Sequence, residues 1–439
     1  MTIRPPPVIR SPERAGVRVA WRFVLVAALS ATGWVLLHHG VKAPWHSYFD
    51  LTIYRRSLHW WLDGRPLYSF PRPHARFGFT YPPFAALLLA PFALLSERAA
   101  EITHTAACAG VVLVSTWWLV GPVARRAGWS RWSTAAVALP AVFMSDPVRE
   151  TMGWGQVDLF IVGLVLVDLA ALQRGRRWAG VGIGLATAIK LTPAVFVLYL
   201  LLTRRWRPAA VAVGTSAAAT GLAAALSPQT SLRYWTAEVW DTARVGPPSE
   251  TGNQSVLGLL ARLAAPAQPS RALWVLLAGG LLAVALRRAM RAAAQQDEVV
   301  GFTLTGLAGC LISPISWSHH LYWVVPAAVV LLDVAAGAPL ADAPRLVRGR
   351  ERVVRRTAGA AAGVVIAVFC AGLIWFIQSA CRGGRCSALL VLVGEGSYGL
   401  VMMALVFVLP VRAPGSRDGV AETFADGLPS ASADLPVAP

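Results

Sequence analysis

The chain has 439 residues and a mass of 46.8 kDa; 56% of the residues are hydrophobic, 14% are charged, and the mean hydropathy is +0.55. Soluble domains carry about 25% charge and about 45–50% apolar residues, and here the apolar excess recurs in blocks long enough to cross a bilayer, which excludes a water-soluble enzyme, a secreted disulfide scaffold and a disordered tail protein. The net charge of +18 would suit nucleic acid, but the arginines fall in short clusters between apolar blocks and form no single stripe, so no nucleic-acid partner is expected.

Residues 1–21 are polar and Pro-rich and carry Arg4, Arg10, Arg14 and Arg18. The apolar block Phe23–Leu37 follows without a small-residue cleavage site, which predicts a cytoplasmic N-terminal tail and an uncleaved first span. Residues 39–83 read as a long external loop rich in Trp, Tyr, Arg, Pro and His. The block at 84–95 is short and interrupted by proline, as in a membrane-surface or re-entrant helix. Further blocks stand at 99–121, 132–145, 157–172, 178–203, 208–226, 272–286, 300–313, 321–336, 357–377 and 387–410. Arginines flank the 178–203 block at both ends, and a proline disfavours helix in the residue before it. That block is therefore expected to be two helices meeting at Lys190-Leu191-Thr192-Pro193.

The fold class predicted is an all-α polytopic membrane protein of about twelve transmembrane helices. Residues 22–411 form one transmembrane domain, and 412–439 a disordered cytoplasmic tail. The positive-inside bias puts the arginine clusters around 125–131, 174–177, 204–207, 287–291 and 345–356 on one side. Five polar-aromatic segments then share the external side: the loop with Asp50, residues 146–158, the Lys190 junction, residues 227–255 and residues 313–320.

Within these segments Asp50 stands among aromatic residues just outside a span. It can be a base with a desolvated carboxyl, with Arg55 or Arg56 available for an anion, or else a helix cap or a surface ion pair. All but two of the 40 basic residues are arginine, the exceptions being Lys42 and Lys190. Lys190, between Ile189 and Leu191, suits a phosphate carried on a lipid; a snorkelling lysine is the alternative. His319 and His320 open the block at Leu321, where they can hydrogen-bond substrate or simply sit at the interface. Adjacent histidines diverge on a helix, so no metal site is expected. Trp154 and Gln156, with Gly153 and Gly155 between them and Met152, are of the types that bind sugars, and Trp is also common at membrane interfaces. Asn253-Gln254-Ser255 forms a polar loop tip that formally fits a glycosylation sequon. No Walker-type loop, GxGxxG, HExxH or GxSxG is present, which removes most support for nucleotide-driven transport and soluble-cofactor redox chemistry. Cys108, Cys310 and Cys370 read as small core residues, while Cys381 and Cys386 flank an external loop as a disulfide or as two thiols.

Asp50-Leu-Thr-Ile-Tyr54, Leu62-Asp-Gly-Arg-Pro-Leu-Tyr68, Phe79-Thr-Tyr-Pro-Pro-Phe84, Gly155-Gln-Val157, Lys190-Leu-Thr-Pro193, Asn253-Gln-Ser255 and Ser313-Pro-Ile-Ser-Trp-Ser-His-His320 stand in this order along the chain. Each is weak alone; together they resemble the polyprenol-phosphate-mannose-dependent mannosyltransferases of glycosyltransferase family 87, which have the GT-C membrane fold. Asp158 departs from the family pattern, which has Asn after Gly-Gln-Val.

The resemblance implies a plasma-membrane enzyme with its active site on the external face, a polyprenyl phosphate mannose donor and Asp50 as catalytic base. Lys190, His319 and Arg55 would hold the donor phosphate. Tyr54, Tyr81, Trp154, Gln156, Asn253, Gln254 and His320 would contact acceptor or sugar. The expected reaction moves mannose to a lipid-linked mannoside with inversion, giving an α-(1→2) bond, and needs neither cofactor nor metal. The rival activities are arabinofuranosyl transfer from decaprenyl-phosphate arabinose and non-catalytic flipping of a lipid-linked glycan.

Overall fold

The computed structural model describes residues 45–70, 78–341, 350–381 and 386–413. The expected N-terminal tail, the first span and the tail from 414 onward lie outside them. Among the described residues the regular elements are all helical. In chain order they are α1 (Phe49–Leu62), α2 (Pro83–Leu94), α3 (Glu97–Leu119), α4 (Gly121–Ala127), α5 (Arg131–Met144), α6 (Asp146–Trp154), α7 (Asp158–Gln173), α8 (Val181–Ile189), α9 (Ala194–Leu202) and α10 (Trp206–Leu226). There follow α11 (Pro228–Thr236), α12 (Val256–Ala264), α13 (Arg271–Ala294), α14 (Glu298–Ile312), α15 (Val324–Ala335), α16 (Glu351–Cys370), α17 (Leu373–Ala380), α18 (Ala388–Glu395) and α19 (Ser397–Val408).

Local sequence sets many of the boundaries. The hydroxyls of Ser96, Ser130, Ser255, Ser270 and Ser387 accept the third amide of α3, α5, α12, α13 and α18, which satisfies a donor the helix itself leaves unpaired. The 178–203 block breaks where expected: Lys190 is extended, with φ −150° and ψ 130°, and α9 starts after Pro193.

The expected twelve spans are not twelve long helices. Among the described residues four helices are long and apolar enough to cross a membrane, namely Glu97–Arg126, Trp206–Leu226, Arg271–Ala294 and Glu351–Cys370. Pro83–Leu94, Glu298–Ile312, Val324–Ala335 and Ser397–Val408 are shorter apolar helices. Blocks that read as continuous at 357–377 and 387–410 are interrupted at Gly372 and Gly396. Residues 39–83, expected as an external loop, contain a regular helix, α1, among their described residues. Val213, Leu222 and Leu226 on α10 and Val364 on α16 are exposed apolar side chains on two of the helices long and apolar enough to cross a membrane.

The short helix α8 is wedged between α7 and α10. A Cβ at Gly182 would strike the Leu164 carbonyl of α7, and one at Gly184 would strike the Ala212 carbonyl of α10. Glycine at both positions lets three backbones pack at near-contact distance, which fixes the depth at which α8 ends and Lys190 begins.

The other end of the bundle is tied by buried ion pairs. Arg412, expected to begin the disordered tail, is buried; its guanidinium binds Asp297 at 2.5 Å and Asp333 at 2.9 Å, and Arg126 reaches Asp333 at 2.8 Å. Arg205 pairs with Glu298 in the same way. These contacts join the ends of α4, α9, α14, α15 and α19. Removing one partner of a buried pair strands the other charge at a cost of about 3–5 kcal/mol, so Arg412→Met should lower the thermal midpoint in detergent markedly. An unchanged midpoint would contradict the role of this network.

Candidate active site

Asp50 lies in the first turn of α1. His46, Ser47 and Tyr48 before it all have positive φ, at 62°, 51° and 51°. Left-handed backbone costs non-glycine residues roughly 1–2 kcal/mol each, so the surroundings must hold this run in place. The Tyr48 side chain is buried with its hydroxyl 2.6 Å from Thr105 Oγ1, and His46 stacks on Trp154 at 3.8 Å with Nε2 3.1 Å from the Glu150 carboxylate. Burial alone would raise the Glu150 carboxyl; the His46 hydrogen bond and charge, with the Trp154 N–H, outweigh it and hold the group below its usual range.

A second turn comes to meet α1. α6 ends at Gly155 with φ 74°, and a Cβ there would sit 2.5 Å from Leu51 Cβ. Glycine satisfies both demands, the left-handed backbone and the close approach. The next side chain, Gln156, is thereby laid against Asp50. Its Nε2 donates to Asp50 Oδ2 at 2.8 Å, and its Oε1 accepts the hydroxyls of Tyr81 at 2.6 Å and Tyr54 at 2.9 Å. The Gln156 carbonyl lies 2.9 Å from His104 Nε2. The carboxamide is therefore held at both ends, and it in turn orients the Asp50 carboxylate.

Lys190 projects from the α8–α9 break. Its Nζ donates to Asp158 Oδ1 at 2.8 Å, lies 2.9 Å from His320 Nε2, and sits 5.5 Å over the Tyr81 ring. Lys190 thus pairs with Asp158, the residue noted as departing from the resemblance, 32 positions earlier. His320 Nδ1 lies 3.2 Å from the Trp317 backbone N, and a neutral imidazole accepts at one nitrogen only, so the shorter, charge-assisted contact has the Lys190 ammonium donating to Nε2. A cationic donor is thus held between a carboxylate and an imidazole. Beside them Asp158 Oδ2 and His319 Nε2 are buried without a partner, 3.9 Å apart. Burial pushes His319 down to about 4, so its ring is neutral at ordinary pH.

Asp158, His319 and His320 bring one possible metal-ligand atom each within 4.8 Å of the others, closer than their sequence spacing foretells. The Lys190 ammonium meets two of the three.

Asp50, Tyr54, Tyr81, Trp154, Gln156, Lys190, His319 and His320 all line one cavity of about 680 Å³, to which all five polar-aromatic segments contribute. Three expected residues do not line it. Arg55 turns back to the carbonyls of Phe92 at 3.1 Å and Leu95 at 2.6 Å, where it closes the end of α2. Asn253 is buried, donating to the carbonyls of Pro248 and Pro314 and accepting the Ser316 N–H. Gln254 is buried too, bonded to Thr251, Glu395 and Gly399. The loop tip is a structural plug joining three segments. Cys381 and Cys386 form a disulfide.

Sequence reasoning missed Asp146, Glu150, Trp317 and Trp375. Glu150, Trp317 and Trp375 line the cavity. Asp146 and Glu150 stand four residues apart on α6, a spacing that puts both carboxylates on one helix face and was legible in the sequence.

Residues 79–314 match the family model described as Glycosyltransferase family 87. The chain is 35% identical, over 82% of its length and 84% of the relative's, to the polyprenol-phosphate-mannose-dependent alpha-(1-2)-phosphatidylinositol mannoside mannosyltransferase of Mycolicibacterium smegmatis. It is 33% identical, over 72% of its length and 76% of the relative's, to the polyprenol-phosphate-mannose-dependent alpha-(1-2)-phosphatidylinositol pentamannoside mannosyltransferase of the same organism. An alpha-(1->3)-arabinofuranosyltransferase of Mycobacterium tuberculosis is 28% identical over 37% of each chain.

Because Gly155 lets Gln156 reach Asp50, Gly155→Ala should introduce left-handed strain and a clash with Leu51, together about 2–4 kcal/mol. The expected outcome is a lower thermal midpoint in detergent. A variant as stable as the parent would show that the turn does not press on α1.

Proposed function

The chain belongs to glycosyltransferase family 87, and from that premise we propose that it transfers mannose from polyprenyl phosphate mannose to a mannose hydroxyl of a phosphatidylinositol mannoside or related lipoglycan, forming an α-(1→2) bond. The observation that carries this reading is the cavity's division of labour: a carboxylate oriented by Gln156 faces a separate cluster of polar groups around Lys190. An arabinofuranosyl donor has less support, since that likeness spans 37% of the chain.

In the proposed reaction the acceptor hydroxyl oxygen attacks C1 of the donor mannose while Asp50 takes its proton. The C1–O bond to phosphate breaks, and polyprenyl phosphate leaves with the electron pair. A β-linked donor then gives an α product by direct displacement, and one base suffices because phosphate leaves without an acid. Lys190 is the donor for the charge that develops on the leaving oxygen. A phosphate oxygen entering there would accept from the ammonium, while Asp158 and His320 hold the lysine at the correct depth. His319, neutral and without a partner, is a further hydrogen-bonding group at the same place.

This reading includes the GT-C architecture of the family and a multi-pass position in the plasma membrane with the cavity external. The arginine-rich turns at the far end of the bundle and the long apolar helices support that orientation.

Asp50→Asn should lower transfer from labelled polyprenyl phosphate mannose by about 10²–10⁴-fold while donor binding persists, because only the base is removed. Near-normal turnover would remove Asp50 from the mechanism. Lys190→Ala should raise the donor KM and lower kcat together, and Lys190→Arg should recover more binding than turnover, since the planar guanidinium keeps the charge but not its position. Unchanged constants in Lys190→Ala would exclude it as the phosphate ligand.

A further inference from the structure

Part of the cavity wall is indole. Trp317 and Trp375 both border it, and no other described ring stacks on either. They converge over Gly252, where a Cβ would stand 3.1 Å from the Trp317 ring and 3.2 Å from the Trp375 ring. Any side chain at 252 would wedge between the indoles, so the glycine is what allows them to share one wall.

The Trp375 edge is fixed from behind, its Nε1–H donating to Asp146 Oδ2 at 3.1 Å. Trp154, on the same cavity but with His46 stacked on its ring, donates likewise to Glu150 Oε2 at 2.8 Å. Both carboxylates are buried on the same face of α6, and Asp146 is itself held by Arg149 at 2.8 Å. A buried ion pair that anchors an indole N–H orients a ring whose remaining interaction is through its face. Glu250 lines the same cavity. An apolar ring face beside hydroxyl-accepting carboxylates matches the two-sided chemistry of a pyranose, with a C–H face and an equatorial rim of hydroxyls.

We propose that Trp317 and Trp375, converging over Gly252, form the subsite that holds the terminal hexopyranose of the acceptor. The inference rests on the mannosyl-transfer reading above and names a part of the site that reading leaves open. The contacts of Trp375, to Asp146 and to the Gly372 turn, are separate from those of Lys190, to Asp158, His320 and Tyr81. Trp317 is the link between the two groups, since its backbone N–H bonds His320. An acceptor sugar on the two indoles therefore lies next to the proposed phosphate end without occupying it. Asp146 is a positioning residue in this arrangement; it acts through Trp375.

The test is steady-state kinetics of the full-length protein in detergent with polyprenyl phosphate mannose and a dimannoside acceptor, varied separately. Trp375→Ala should raise the acceptor KM by about ten-fold or more and leave the donor KM within about two-fold, while Trp375→Phe, which keeps a ring face, should recover most of the loss. An unchanged acceptor KM, or a rise confined to the donor KM, would overturn the subsite. Saturation-transfer NMR with the dimannoside decides the point without turnover: the wild-type protein should transfer magnetisation to the pyranose C–H protons and Trp375→Ala should not. Equal transfer to both proteins would overturn the proposal, as would none to wild type. If wild-type protein moved no mannose but still bound the dimannoside through Trp375, the transfer reading would fail and the subsite would stand.

Discussion

The contact between the Gly155 turn and the start of α1 is the constraint on which the rest of the site depends. Two loops with no regular pairing between them must meet at a fixed distance, and a glycine with φ 74° lets them do so at near-contact range. Gln156 is the product of that meeting. With one carboxamide end holding Asp50 and the other accepting two tyrosine hydroxyls, it ties α1, the segment before α2 and the start of α7 into one unit. The left-handed run at His46, Ser47 and Tyr48 is tolerable only because α3 and α6 grip it from both sides.

The cavity that results has two chemically distinct ends. At one, a lysine, a carboxylate and two histidines concentrate polar groups in a small buried volume. At the other, Trp317 and Trp375 converge over Gly252, with the Trp375 edge anchored by the buried Asp146. Asp50 belongs to neither end. As the proposed base, oriented through a neutral amide, it would keep proton acceptance apart from the charge proposed to bind the donor phosphate. A separate group of buried arginine–carboxylate pairs ties the other end of the bundle.

Much of this was legible in the sequence, for particular reasons. Apolar blocks need no periodicity to be recognised, and each block within the described residues overlaps a helix. The break at Lys190-Leu191-Thr192-Pro193 followed from proline's effect on its neighbour. The number of spans did not follow, because glycines at 372 and 396 divide apolar runs that hydropathy reads as continuous. Asn253 and Gln254 were misread since a polar loop tip gives the same signal whether it binds a ligand or plugs a junction of backbone carbonyls. Arg55 was misread for a related reason, its carbonyl partners being some 40 positions away. The Asp158–Lys190 pair could not be seen because the two residues lie on different helices, and only the fold brings them together.

Transfer itself is the central claim, and linkage analysis of the product tests it most directly. The purified protein would be incubated with labelled polyprenyl phosphate mannose and a phosphatidylinositol mannoside, and the extracted lipid analysed for anomeric configuration and linkage position. The account predicts one added mannose in an α-(1→2) bond. A β-linked product would contradict direct displacement, and transfer of arabinose from decaprenyl-phosphate arabinose with none of mannose would contradict the assignment of the donor.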